Sequence, residues 1–160
     1  MTSRENIAAL GAGRMGRGIA IAFAYAGHDV ALVDFKPRDT AAFDKLAADA
    51  LTDIRTTLEM LARVGLLTAD EVAPVLERVR VVQEADAAGA LRDATVIFEG
   101  VPEVVDLKRD ALARASRLAG PKPIIASTTS TILVDDLSSA IDRPERFLNA
   151  HWLNPAYLVP

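Results

Sequence analysis

The sequence predicts an α/β domain built on a doubly wound, mostly parallel sheet. Three observations carry that expectation. Short apolar runs alternate with amphipathic helical patterns along the whole chain, as successive βα units require. The first run leads into a glycine turn, Gly11-Ala12-Gly13-Arg14-Met15-Gly16, and then directly into a helical pattern. The polar residues with useful chemistry gather just behind the apolar runs, where one edge of a parallel sheet collects them.

The elements follow in order. Asn6–Leu10 reads as the first strand, Arg14 to Ala26 as a helix and Asp29 to Asp34 as the second strand. A long helix spans Asp39 to Val64, with Phe43, Leu46, Ala47, Ala50, Ile54, Leu58 and Leu61 at helical spacing, and Gly65 ends it. Thr68 and Glu71 form a capping-box pattern that opens a shorter helix to about Arg78. Val79–Val82 is the third strand, a short helix lies near Ala85–Leu91, and Thr95–Glu99 is the fourth strand. Pro102 marks a helix entrance, and Val104 to Leu118 is closed by Gly120 and Pro121. Ile124–Ser127 is the fifth strand, Val134–Ile141 a short helix, and Phe147–Trp152 the sixth strand.

The glycine turn in this strand–turn–helix context is the dinucleotide-binding pattern of the Rossmann type. Gly11 permits the tight turn, and Gly13 leaves room for a pyrophosphate against the backbone. Gly16, together with Gly18, is expected to let the helix pack closely on the sheet. The phosphates would meet the free N–H groups at the helix N-terminus. Ala12, Arg14 and Met15 complete the turn, with Arg14 placed for phosphate contact. Asp34 follows Gly16 by 18 residues, near the spacing of an acid that takes the adenosine ribose hydroxyls. A carboxylate there favours NAD over NADP, although Lys36 and Arg38 just beyond it lean the other way.

Composition narrows the function classes. The 160 residues suit one domain, 51% hydrophobic and 25% charged residues suit a soluble core, and no cysteine is present. That last absence excludes thiolate nucleophiles and Cys-ligated metals; no metal site is expected. The net charge of −4 and the lack of a basic block recommend neither nucleic acid nor an anionic membrane as partner. No signal peptide or membrane span is read, so the expected location is cytoplasmic.

Three further clusters carry a family signature: Glu99-Gly-Val-Pro-Glu103 with Lys108, Ala126-Ser-Thr-Thr-Ser130-Thr131, and Ala150-His151-Trp-Leu-Asn154-Pro155. In order and spacing they resemble the 3-hydroxyacyl-CoA dehydrogenase family over nearly the whole chain. The resemblance implies that His151 is the general base and that Ser130 hydrogen-bonds the reacting oxygen. It implies that Asn154 lies beside them near the nicotinamide, with Glu103 and Lys108 near its ribose. The residue types suit the chemistry, because histidine exchanges protons near neutral pH and a hydroxyl can steady a developing alkoxide. Without the motifs, Glu103 and Lys108 would read as a solvated helix face, and His28 as a turn residue.

Departures from the family pattern matter for substrate. Thr128 stands where the family's loop has Asn. Val64, beside Arg63, stands where acyl-CoA members carry a CoA-binding lysine, and Thr57 stands where they carry a serine. The family's helical C-terminal substrate and dimer domain, and a Glu that orients the histidine, lie beyond Pro160. The expectation is a cofactor-binding fragment, inactive alone, whose parent is a homodimer. The first reading is therefore an NAD-dependent dehydrogenase of a short-chain 3-hydroxyacyl-CoA such as 3-hydroxybutyryl-CoA. The alternatives are a dehydrogenase of a free polar 3-hydroxy acid, like the L-gulonate and carnitine dehydrogenases, and a non-catalytic NAD-binding module.

Overall fold

Along the first strand, β1 (Asn6–Leu10), alternate side chains enter two different cores. Ile7 and Ala9 face one side, and Ala8 and Leu10 face the other. This double burial, repeated by Val30, Leu32 and Ala31, Val33 in β2 (Asp29–Asp34), explains why the strands read as continuous apolar runs. The structure, a computed structural model, describes residues 4–158. The other strands are β3 (Val79–Gln83), β4 (Val96–Glu99), β5 (Ile124–Ser127) and β6 (Phe147–Asn149). They form one sheet in the order β3-β2-β1-β4-β5-β6 with every pairing parallel.

Helices α1 (Arg14–Tyr25), α2 (Thr40–Arg63) and α3 (Val72–Leu76) cover one face, with Ile19, Ile54, Leu58 and Val75 buried there. Helices α4 (Ala87–Asp93), α5 (Val105–Ala119) and α6 (Val134–Ser138) cover the other through Leu91, Leu112, Ala115 and Leu137. Each fully buried Leu or Ile of these layers contributes about 1.5–3 kcal/mol, more than any single cap or surface pair. Caps then set the ends. The Asp39 carboxylate accepts from the Ala42 amide at 2.7 Å to start α2, and Gly65, at φ +79°, turns the chain after it. The Thr68/Glu71 capping box forms as expected, with the Thr68 amide donating to Glu71 at 2.7 Å. It caps a 3-10 turn over Ala69–Glu71, and α3 follows.

Two elements end three residues short of their sequence pattern. The helix expected over Val134–Ile141 ends at Ser138, and Ala140 and Ile141 donate instead to Leu137 and Ser138 in tight turns. The sixth strand, expected to reach Trp152, stops at Asn149. Its only neighbour is β5, whose last residue, Ser127, pairs with Asn149. Ala150 still donates to Ser127 at 2.8 Å, but beyond it no strand remains to pair with. His151 therefore leaves the sheet on a segment that pairs with no strand and is held by Trp152 packing on Phe23 and Phe98.

A strand order that reverses direction of growth between β1 and β4 creates a crevice outside the carboxyl ends of those strands. All five polar clusters singled out above emerge at that edge.

Candidate active site at the carboxyl edge of the sheet

A cleft of about 910 Å³ opens at this edge. It is lined by the turn after β1 (Gly11 to Met15), the end of β2 (Asp34 to Lys36, with Arg38), the loop after β4 (Gly100 to Glu103), and Thr128, Ser130, His151 and Asn154. The structure thus brings together every sequence-singled site residue except Gly16, which lies beneath the turn. A side chain on Gly16 would be driven into the Gly11 carbonyl and against Leu32. Its missing side chain lets α1 approach β1. Gly18 differs from the expectation as well. A Cβ there would stand 2.9 Å from Ala156 Cβ, so Gly18 makes room for the segment after β6 rather than for the sheet. That close approach carries Asn154 over the start of α1.

The turn itself is shaped for a dinucleotide. Gly11 takes φ +94° and donates to Val33 at 2.8 Å, a conformation that disfavours any side chain. Nothing lies within 4 Å of where a Gly13 Cβ would be. Gly13 is the N-cap of α1 without a side-chain cap, and the first turn carries no acid. Open backbone, free N–H groups and the positive helix end fit the pyrophosphate of NAD. Asp34 ends β2 at the same cleft. Arg17, which sequence reasoning did not single out, braces the turn from below by donating Nε to the Ala12 carbonyl at 2.8 Å and pairing with Asp53.

Lys108 and Glu103 are not a solvated helix face. Lys108 is 1% exposed, and its ammonium donates to both oxygens of the fully buried Glu99 at 2.9 and 3.0 Å. It also reaches the Val101 carbonyl at 3.2 Å and Glu103 at 3.2 Å. Glu99 additionally accepts from the Val101 amide at 2.7 Å and the Ser127 hydroxyl at 2.5 Å. The charge pair is thus enclosed and saturated at the floor of the cleft. The signal that could have found it is Glu99 itself, an acid closing an apolar central strand.

Glu103 carries the network into the Ser/Thr loop. One carboxylate oxygen accepts from the Thr129 hydroxyl, the Ser130 amide (3.1 Å), the Thr131 amide (3.3 Å) and the Thr131 hydroxyl (3.1 Å). The other faces Lys108. Burial alone would push the Glu103 pKa up. Hydrogen bonds from Thr129 and Lys108, the Lys108 charge and the Thr131 amide outweigh that and hold it at about 2. A folded-state pKa below the unfolded value stabilises the protein above that unfolded value, and the contribution is lost as pH falls through the folded pKa. Thermal midpoints are therefore expected to fall between about pH 4.5 and pH 2, and Glu103→Gln to flatten that slope. An unchanged slope in the variant would remove Glu103 as its source.

Ser130 and His151 contrast with this tied framework. Both are exposed and both line the cleft. The Ser130 backbone is anchored on Glu103, yet its hydroxyl has no partner among the described residues, and neither has the His151 imidazole. His28, by contrast, accepts from the Glu5 amide at 3.2 Å and packs on Phe23, the turn role read from sequence. A second hollow of about 480 Å³, between α1, α2 and the terminal segment, is lined by Arg14, Arg17, Asp53, Thr57 and Asn154 among others. Val64 lies outside it, at the end of α2, and is 66% exposed.

A family model described as 3-hydroxyacyl-CoA dehydrogenase, NAD binding domain, matches residues 6–160. The chain belongs to this family. It is similar to the 3-hydroxybutyryl-CoA dehydrogenase of Bradyrhizobium diazoefficiens, at 32% identity over 155 residues, covering 97% of this chain and 50% of that protein. It is also similar to the 5-formyl-3-hydroxy-2-methylpyridine 4-carboxylate 5-dehydrogenase of Mesorhizobium japonicum, at 34% identity over 157 residues, covering 98% and 47%. Among solved structures, the (S)-3-hydroxybutyryl-CoA dehydrogenase of Ralstonia eutropha superposes with a TM-score of 0.86 at 29% identity, covering 98% of this chain and 52% of that one. The chain spans about half the length of the curated relatives it matches. Its cofactor is NAD, as the family domain and the shape of the glycine turn agree. No helix among the described residues is long and apolar enough to cross a membrane, and no cluster of three potential metal ligands occurs among them.

Proposed function

We propose that this domain serves an NAD-dependent dehydrogenase that oxidises the 3-hydroxyl of a short-chain 3-hydroxyacyl-CoA, 3-hydroxybutyryl-CoA in the first instance. One observation carries the reading: the free polar groups of Ser130 and His151 stand in the same cleft as the glycine turn. Bound NAD would supply the hydride acceptor, held by Gly11, Ala12, Gly13, Arg14 and Met15 at its phosphates and by Asp34 at its adenosine ribose. Asn154 and the loop anchored on Glu103 would border its nicotinamide end. Lys108 has its N–H groups engaged, so it supports that end through Glu103.

His151 takes the proton of the substrate hydroxyl, and in the reverse direction returns it. Ser130 donates its hydroxyl to the same oxygen and stabilises the negative charge that develops there. The Glu103 anchor fixes the Ser130 backbone, so little reorganisation is needed at the moment of reaction. The substrate surface, and a homodimer contact, would come from the remainder of a longer polypeptide, with the domain here spanning residues 1–160. An assembled enzyme of this kind would work in the cytoplasm.

A second reading has its own support. Val64 stands at the end of α2 where acyl-CoA members carry a lysine, which leaves Arg63, one residue earlier, as the basic residue of the last turn and shifts or weakens a CoA phosphate site. A relative of comparable identity is named for a pyridine carboxylate rather than a thioester. That favours a free polar hydroxy acid as the alternative substrate class. NADH formation by the full-length protein on 3-hydroxybutyryl-CoA, carnitine and L-gulonate separates the two. Turnover confined to the thioester is the expected result. Turnover confined to a free acid overturns the first reading, and cofactor binding without any turnover leaves a non-catalytic NAD module.

A further inference from the structure

The acid that should recognise the adenosine ribose is not alone. Arg38 folds back from the first residues beyond β2 and donates Nε to one Asp34 oxygen, and the Lys36 amide approaches the other at 3.4 Å. Asp34 is nearly buried, whereas the Arg38 side chain is 28% exposed. Arg38, Lys36 and Phe35 all line the cleft beside Asp34. The terminal nitrogens of Arg38 and the Lys36 ammonium have no partner among the described residues. Phe35 is held from another side by Arg114, whose guanidinium lies 4.4 Å over its ring and donates to its carbonyl at 3.2 Å.

A bare carboxylate at this position rejects a 2′-phosphate by like-charge repulsion. Here the carboxylate is already neutralised by a guanidinium, and a second cation stands next to it. The usual rejection is therefore weak, and the free guanidinium N–H groups form a fork that matches a phosphate. We propose that Arg38, backed by Lys36, is a specificity-determining residue that lets this cleft take NADP(H) as well as NAD(H). With a ribose diol present, Arg38 stays on Asp34. With a 2′-phosphate, it exchanges the carboxylate for the phosphate.

The inference rests on NAD lying along the glycine turn, and the test keeps the two apart. Calorimetric titration of the full-length protein with NADH and NADPH gives both dissociation constants without any turnover. The two cofactors are expected to bind within about tenfold of each other, and Arg38→Ala to weaken NADPH by about tenfold while moving NADH by less than about threefold. Arg38→Lys restores part of the NADPH affinity, because it keeps the charge and loses the fork. Asp34→Asn, which releases Arg38, reverses the preference towards NADPH. In the unmodified protein NADPH affinity falls more steeply with salt than NADH affinity, a readout that needs no variant. NADPH binding more than about a hundredfold weaker than NADH overturns the inference, as does an Arg38→Ala change that weakens both cofactors equally. Failure of NADH itself to bind overturns the cofactor reading beneath it.

Discussion

Replacing His151 by Asn in the full-length enzyme is expected to lower kcat by about 10²–10⁴, the usual contribution of a positioned general base. Asn can still hydrogen-bond a substrate hydroxyl, but it cannot take the proton. Because the imidazole is exposed and makes no hydrogen bond to another described residue, the exchange should leave stability within about 0.5 kcal/mol. NADH affinity should also hold, since the glycine turn and Asp34, proposed to hold its phosphates and ribose, lie elsewhere in the cleft. The loss therefore belongs to kcat and not to folding or cofactor binding, and calorimetry beside steady-state kinetics shows which. A variant that keeps kcat within about threefold removes His151 from proton transfer.

The largest expected effect on stability is at Lys108. Lys108→Met keeps most of the aliphatic stem but leaves the Glu99 carboxylate enclosed with only the Val101 amide and the Ser127 hydroxyl for company. Removing one partner of a buried pair costs about 3–5 kcal/mol, because the other charge is left uncompensated. That is a large share of the roughly 5–15 kcal/mol a domain commands, and it corresponds to a midpoint roughly 10 °C lower. Pairing Lys108→Met with Glu99→Gln should recover about 2 kcal/mol or more, since the amide has no charge to strand. Urea unfolding of the two single variants and the double gives the coupling directly. Additive losses would mean that the pair does not interact as its 2.9 Å separation implies.

The same network explains a division of labour at the site. The framework below the cleft (Glu99, Lys108, Ser127, Glu103) has its hydrogen bonds made within the protein, and the two groups above it, Ser130 and His151, are left open. Strong pairs hold the backbone of the Ser/Thr loop, while the Ser130 hydroxyl and the His151 imidazole make no hydrogen bond to another described residue.

Much of this protein is written locally. Alternation of apolar residues places the strands, and the glycine turn with Asp34 marks the nucleotide end. The Thr68/Glu71 box marks a helical start, which the structure makes as a 3-10 turn ahead of α3. The rule that crossovers in a parallel sheet gather strand ends on one edge then puts Ser130, His151 and Asn154 beside the glycine turn from the sequence alone. Those signals act between neighbours in sequence, and so they can be read from sequence. Other features arise from encounters between distant segments. Lys108 reads as a surface charge until β4 and β5 close around it, joining Glu99 to Ser127 across 28 residues. Gly18 reads as a sheet contact until Ala156 arrives over it. β6 reads three residues too long because its length depends on where its neighbour β5 ends. Arg38 reads as a cation within reach of a phosphate, but its fold back onto Asp34 appears only in the tertiary structure. Periodicity reports which faces are apolar, but which charges meet inside, and how far a strand can pair, are decided only when the whole sheet has assembled.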